Sequence, residues 1–122
     1  VTIVSIAQQI RQANQLGKEV ITVADWGVDI EIRSMSAGQR AALQSLVADD
    51  ALSTGDRQEK MWGFLLLHCC FEVESGQPVF TESDLEWILN ESAFGPIDYL
   101  TTKCLEVSAI GKKASDDLGK SS

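Results

Sequence analysis

Apolar residues along the chain switch between helical and extended spacing, and each switch marks an element. Residues 5–15 carry Ile6, Ile10 and Ala13 on one face behind a capping Ser5, which predicts a short helix ended by Gly17. Residues 18–24 read as a strand, and Asp25-Trp26-Gly27 as a turn. Beyond it Val28, Ile30 and Ile32 alternate with Asp29, Glu31 and Arg33, a period of two that predicts a half-buried strand closing a β-hairpin.

The period then lengthens. Ser36 with Gln39 has the spacing of a capping box, and Leu43, Leu46 and Val47 recur at helical spacing until Asp49-Asp50. Residues 53–56 (Ser-Thr-Gly-Asp) read as loop by composition. Residues 57–74 are apolar on nearly every side, as expected of a central buried helix or of one with a spare face for a partner. After a turn at 75–78, Thr81 and Asp84 open a helix whose apolar face is Leu85, Ile88 and Leu89, with Trp87 off that face. Gly95-Pro96 breaks the chain and sets a proline in the first turn of a last helix, 97–110, which aligns Ile97, Leu100, Cys104 and Val107. The tail 111–122 has Leu118 as its one large apolar residue and is expected to be disordered. The fold class predicted is α+β: a mostly helical single domain over 1–110, with an N-terminal β-hairpin followed by about four helices. A two-stranded hairpin is marginal alone, so it must pack on the helices or pair with another chain.

Composition bounds the partners. At 122 residues with 44% apolar and 23% charged side chains, one packed domain is the default. No apolar run approaches the ~20 residues that span a bilayer, and no basic-then-apolar leader is expected. Ten basic against 18 acidic residues, net −8, argue against nucleic acid and against anionic membrane surfaces.

Candidate chemistry is sparse. His68-Cys69-Cys70 is the one cluster of metal-type ligands, but consecutive helical residues diverge by about 100°, so the three cannot converge on one ion. The same divergence disfavours a Cys–His nucleophile pair. Three cysteines, with Cys104, make no disulfide framework and suit a reducing cytosol or incidental core thiols. There is no glycine-rich phosphate loop. No catalytic residue, metal or cofactor is therefore assigned, and the protein is expected not to be an enzyme. A thiol or metal enzyme around Cys69, Cys70 and Cys104 is the weakest of the readings considered.

Charge placement says more. Between Lys60 and Lys103 there is no Lys or Arg, while seven carboxylates fall there, among them Glu82, Glu86 and Glu91. The same window holds Phe71, Phe80, Trp87 and Phe94. Aromatics among acids describe either a soluble acidic face over four core residues, or a partner-binding groove with aromatic anchors and an acidic rim. Phe71, Phe80, Trp87, Phe94, Glu82, Glu86 and Glu91 are the candidate partner-binding residues.

The order of these elements resembles the tail assembly chaperones of long-tailed bacteriophages. The features that carry the resemblance span about 18–110: the turn Asp25-Trp26-Gly27, the strand from Val28 to Arg33 running into Met35-Ser36 and a helix with Arg40, the apolar helix at 61–71, and Gly76-Gln77-Pro78-Val79-Phe80 before a helix with Asp84-Leu85. The resemblance implies a non-enzymatic protein of the host bacterial cytoplasm, absent from the finished virion. It implies binding to the tape measure protein, keeping it soluble, recruitment of the major tail tube protein, and self-association. It also implies a longer product made by ribosomal frameshifting. Leu118-Gly119-Lys120 permits a slippery heptamer, as do Gly111-Lys112-Lys113 and, by coincidence, Leu16-Gly17-Lys18; position favours Leu118 to Lys120. The alternative from another class is a small acidic structural, connector or adaptor protein built into a phage particle.

Overall fold

The computed structural model describes residues 5–13 and 17–108. The expected tail at 111–122 and the frameshift positions within it lie outside the described residues. The first helix, α1, runs Ile6–Ala13. Gln8 N–H donates to the Ser5 hydroxyl at 3.1 Å and Ser5 N–H donates to the Gln8 side chain at 3.2 Å, so the N-terminus is closed reciprocally. Ile6 and Ile10 on its apolar face remain exposed.

The hairpin forms as its alternation requires. β1 (Lys18–Val23) pairs antiparallel with β2 (Val28–Arg33), Ile21 opposite Ile30. Trp26 and Gly27 N–H both donate to the Val23 carbonyl, and Gly27 takes φ +65°, a left-handed conformation that costs a glycine little. Ile21, Val23, Ile30 and Ile32 point inward and are buried. Val28, on the same side by register, stays exposed at the open end of the sheet.

Serine caps set two helices. α2 (Ala37–Val47) begins with the full capping box: Gln39 N–H donates to the Ser36 hydroxyl at 3.2 Å, and Ser36 N–H donates to Gln39 Oε1 at 3.0 Å. Leu43 is the one buried side chain of α2, and the cap satisfies two backbone N–H groups at its start. Ser36→Ala should cost about 1 kcal/mol, read as a lower denaturant midpoint with an unchanged slope. α3 (Thr54–Cys69) begins earlier than its composition suggests. Ser53 accepts from Asp56 N–H at 3.1 Å, and this cap draws Thr54, Gly55 and Asp56 into the first turn instead of a loop.

α3 also ends earlier than its apolar pattern suggests. A helix to residue 74 is expected, but the chain leaves the helix at Cys70 and forms β3 (Cys70–Glu72), which pairs antiparallel with β2, Ile32 opposite Cys70. The hairpin is thus completed to a three-stranded sheet in the order β1-β2-β3. The free edge of β2 supplies the backbone partners that helical periodicity cannot report. The return turn closes the far edge of β3, with Glu72 N–H donating to the Gln77 carbonyl and Val79 N–H to the Cys70 carbonyl.

α4 (Glu82–Glu91) and α5 (Phe94–Val107) complete the fold; Pro96 sits in the first turn of α5 as expected, but the helix begins at Phe94, so Gly95 lies within that turn and does not break the chain before it. The described residues therefore form an α+β fold, with four helices after the first two strands. The core lies between the inner face of the sheet and α3 and α5, where Leu65, Leu66, Cys69, Leu100 and Cys104 have no exposed surface. Its one buried polar side chain, Thr101, donates to the Ile97 carbonyl at 2.8 Å. At the sheet's end, Met35 N–H donates to the Ser108 hydroxyl at 3.0 Å and ties the β2–α2 link to α5.

Candidate interaction surface

α4 stands on α3 with open space on both sides. It approaches closely because Gly63 of α3 has no side chain: a Cβ there would meet Leu85 Cδ1 at 3.2 Å. Leu85, Ile88 and Leu89 make the contact, as their spacing predicts, and Trp87 points away, half exposed at 50%.

On the sheet side of α4 lies an open cleft of about 840 Å³. Ile30, Phe80 and Ile88 form its buried floor, and Val28, Val73 and Trp87 its exposed apolar walls. Trp26 closes the end beneath the hairpin turn. Glu72 and Glu74 supply the charge, Asp29 borders the cleft through its backbone, and no Lys or Arg lines it. Glu72 is oriented by a neighbour, accepting from the Ser75 hydroxyl, whereas the Asp29 carboxylate accepts from the Thr22 hydroxyl at 2.6 Å on the other face of the sheet.

On the other side of α4 a second cleft, about 750 Å³, runs against α2 and α3. Leu46, Leu52, Phe64 and Leu67 line it beside Leu85 and Leu89. Its rim is also largely acidic, with Asp56, Glu59, Glu82 and Glu86 against Lys60. His68 sits here, its ring 4.4 Å from that of Phe64.

The seven residues marked by aromatics among acids are thus distributed over several surfaces. Phe80 and Trp87 share the first cleft, Phe80 as buried floor (7% exposed) and Trp87 as wall. Glu82 and Glu86 face the second cleft, and Glu91 lies beside Trp87 and Glu86 on the outer side of α4. Phe71 is on the opposite face of the sheet. The Arg33 guanidinium lies 4.0 Å from its ring centroid and bonds Glu31 at 2.7 Å. Phe94 is exposed at the start of α5, edge-on to Trp62 at 5.8 Å. Sequence reasoning missed Trp26, Val28 and Val73. Val73 carried a signal, an apolar residue between Glu72 and Glu74 just past an apolar run, whereas Trp26 and Val28 reach the cleft only through β2–β3 pairing.

Asp84 fixes the start of α4. The Thr81 N–H donates to its carboxylate at 2.8 Å and the Thr81 hydroxyl at 2.9 Å, while the Trp87 indole N–H reaches the other oxygen at 3.4 Å. These bonds, the Thr81 N–H first, hold the carboxyl below its ordinary value of 3.8. A lowered carboxyl stabilises the fold fully above the ordinary value and loses that contribution as pH falls through the lowered one. The first turn of α4 is therefore expected to open on acidification, seen as faster amide exchange at Glu82–Asp84, and the Asp84→Asn variant should lack this pH step.

All three cysteines are unpaired by disulfides and buried in the core. Cys70 and Cys104 Sγ stand 4.0 Å apart, and Cys104 Sγ is 3.9 Å from the Leu65 carbonyl. Hydrogen bonding with Cys104 and burial push the Cys69 thiol up. Cys104 is pushed up too: its bond with Cys69 acts downward and is outweighed by that with Cys70 and by burial. Protonated, enclosed thiols are poor nucleophiles and poor ligands. Among the described residues no group of three or more His, Cys, Asp or Glu side chains could hold a metal ion, and no helix is long and apolar enough to cross a membrane.

This fold, a three-stranded antiparallel sheet packed on α3 and α5 with α4 above it, is similar to that of a solved tail assembly chaperone. The structure of the bacteriophage HK97 tail assembly chaperone matches with a TM-score of 0.60, over 84% of this chain and 98% of that one, at 17% identity. At that identity the likeness is one of fold. Neither a protein family nor a curated protein matches the chain.

Proposed function

We propose that the protein is a non-enzymatic tail assembly chaperone of a long-tailed phage, which binds the tape measure protein, keeps it soluble and aids recruitment of tail tube subunits. The observation that supports this most strongly is the likeness of fold to the HK97 tail assembly chaperone across nearly the whole of that chain. Two apolar clefts with acidic rims agree with it, since a holdase needs exposed apolar surface that charge keeps in solution. The cleft bearing Phe80 and Trp87 is the contact for the client. Several weak contacts along one long client would raise the overall affinity without a tight single site. The protein acts in the host cytoplasm, self-associates, and leaves before the virion is complete.

Deletion of the gene from its phage tests the role. The reading expects filled heads without tails, restored by the gene in trans, and no peptide of this chain in purified virions by mass spectrometry. Stoichiometric recovery of the chain from virions would make it a connector or other structural component instead.

A further inference from the structure

We propose that the Phe80–Trp87 cleft recognises a cationic amphipathic helix: a segment whose apolar stripe seats between Val28, Val73 and Trp87 and whose flanking Lys or Arg side chains meet Glu72 and Glu74. This rests on the chaperone reading and names the chemistry of the client segment at that site.

Three observations carry it. The first is charge. The cleft carries the carboxylates of Glu72 and Glu74 and no cation, and Arg33, across the sheet, is engaged with Glu31 and Phe71. An uncompensated acidic rim around an apolar floor favours a basic occupant and penalises an acidic one.

The second is the backbone. An extended client would need a free strand edge. The outer edge of β3 is closed by its own return turn, through Glu72 to Gln77, Cys70 to Val79 and the bridge from Phe71 to Pro78. Pairing of β2 with β3 stops at Ile30, so only Val28 and Asp29 extend past it. Two residues are too few for strand addition, the outer edge of β1 brings no residue to the cleft, and recognition there falls to side chains, as in a helix laid into a groove.

The third is shape. At about 840 Å³ the cleft takes two or three large apolar side chains, the stripe an amphipathic helix presents at i, i+3 or i+4, and i+7. Trp87, with its indole N–H directed at Asp84, leaves its ring faces free to act as a wall.

The test uses the full chain and a labelled helical peptide of about 18 residues, with Leu at i, i+3, i+4 and i+7 and Lys on the flanks, beside a counterpart with Glu for each Lys. Fluorescence anisotropy should show the Lys peptide binding at least about tenfold more tightly than the Glu peptide, with the difference shrinking as salt approaches about 0.5 M. Glu72→Gln with Glu74→Gln should weaken the Lys peptide about tenfold and leave circular dichroism unchanged, because glutamine still accepts from Ser75. Glu59→Gln, in the other cleft, should leave it unaltered. Equal affinity for the two peptides, or indifference to the Glu72 and Glu74 changes, overturns the proposal. So does an oligomer in sedimentation that excludes the peptide and dissociates in those variants, which would give the cleft to a second copy. Tape measure protein held equally well by wild type and by the Glu72→Gln, Glu74→Gln variant would sink this inference and leave the chaperone reading standing. Peptide binding as described, with no effect on the tape measure protein, would do the reverse.

Discussion

Leu100→Ala is expected to lower stability by about 2–5 kcal/mol, a fall in melting temperature of roughly 10–20 °C for a chain of this size. Leu100 has no exposed surface and sits on α5, where the inner face of the sheet and α3 meet. Truncation there loses the transfer free energy of the side chain and leaves a void. Sheet residues Ile30 and Ile32 and helix residues Leu65 and Leu66 cannot close it without breaking their own contacts. Thermal and chemical denaturation should both report the loss, with the denaturant slope unchanged. A change below about 1 kcal/mol would mean that α5 is not the element against which the sheet folds.

Trp87→Ala should do the opposite: leave stability within about 0.5 kcal/mol and strip away binding. The ring is half exposed, its removal opens no sealed cavity, and its one hydrogen bond, to Asp84, is long at 3.4 Å. As the apolar wall of the Phe80 cleft it has the makings of an interface anchor, worth about 2 kcal/mol or more, so the client should bind about 30-fold more weakly. The contrast with Leu100 separates the two roles. A large loss of melting temperature in Trp87→Ala would place the ring in the core, and unaltered client binding would move the contact elsewhere, to the α2–α3 side of α4.

Much of this architecture was legible in the sequence where local rules decide. The alternation from Val28 to Arg33 specifies a strand because period two puts Ile30 and Ile32 on one side whatever the surroundings. Ser36 and Gln39 close α2 through side chains three residues apart. Leu85, Ile88 and Leu89 point α4 at α3, and the same geometry turns Trp87 outward. What was not legible is non-local. Cys70, Phe71 and Glu72 continue an apolar helical pattern, and only the unsatisfied edge of β2 makes them a strand. The candidate site inherits that limit. Phe71 and Phe80 are nine residues apart, but β3 puts Phe71 on the far face of the sheet and the return turn carries Phe80 to the near one. Trp26 and Val28, more than fifty residues before Trp87, reach its cleft through the hairpin.

The central proposal is that this chain holds a tape measure protein in solution, and co-expression measures it directly. The tape measure protein encoded in the same phage is produced with and without this chain, and its share in the supernatant after high-speed centrifugation is compared. The account predicts that the client pellets alone, is carried severalfold more into the soluble fraction by the wild-type chain, and pellets again with Trp87→Ala. A client equally insoluble with and without the wild-type chain would contradict it.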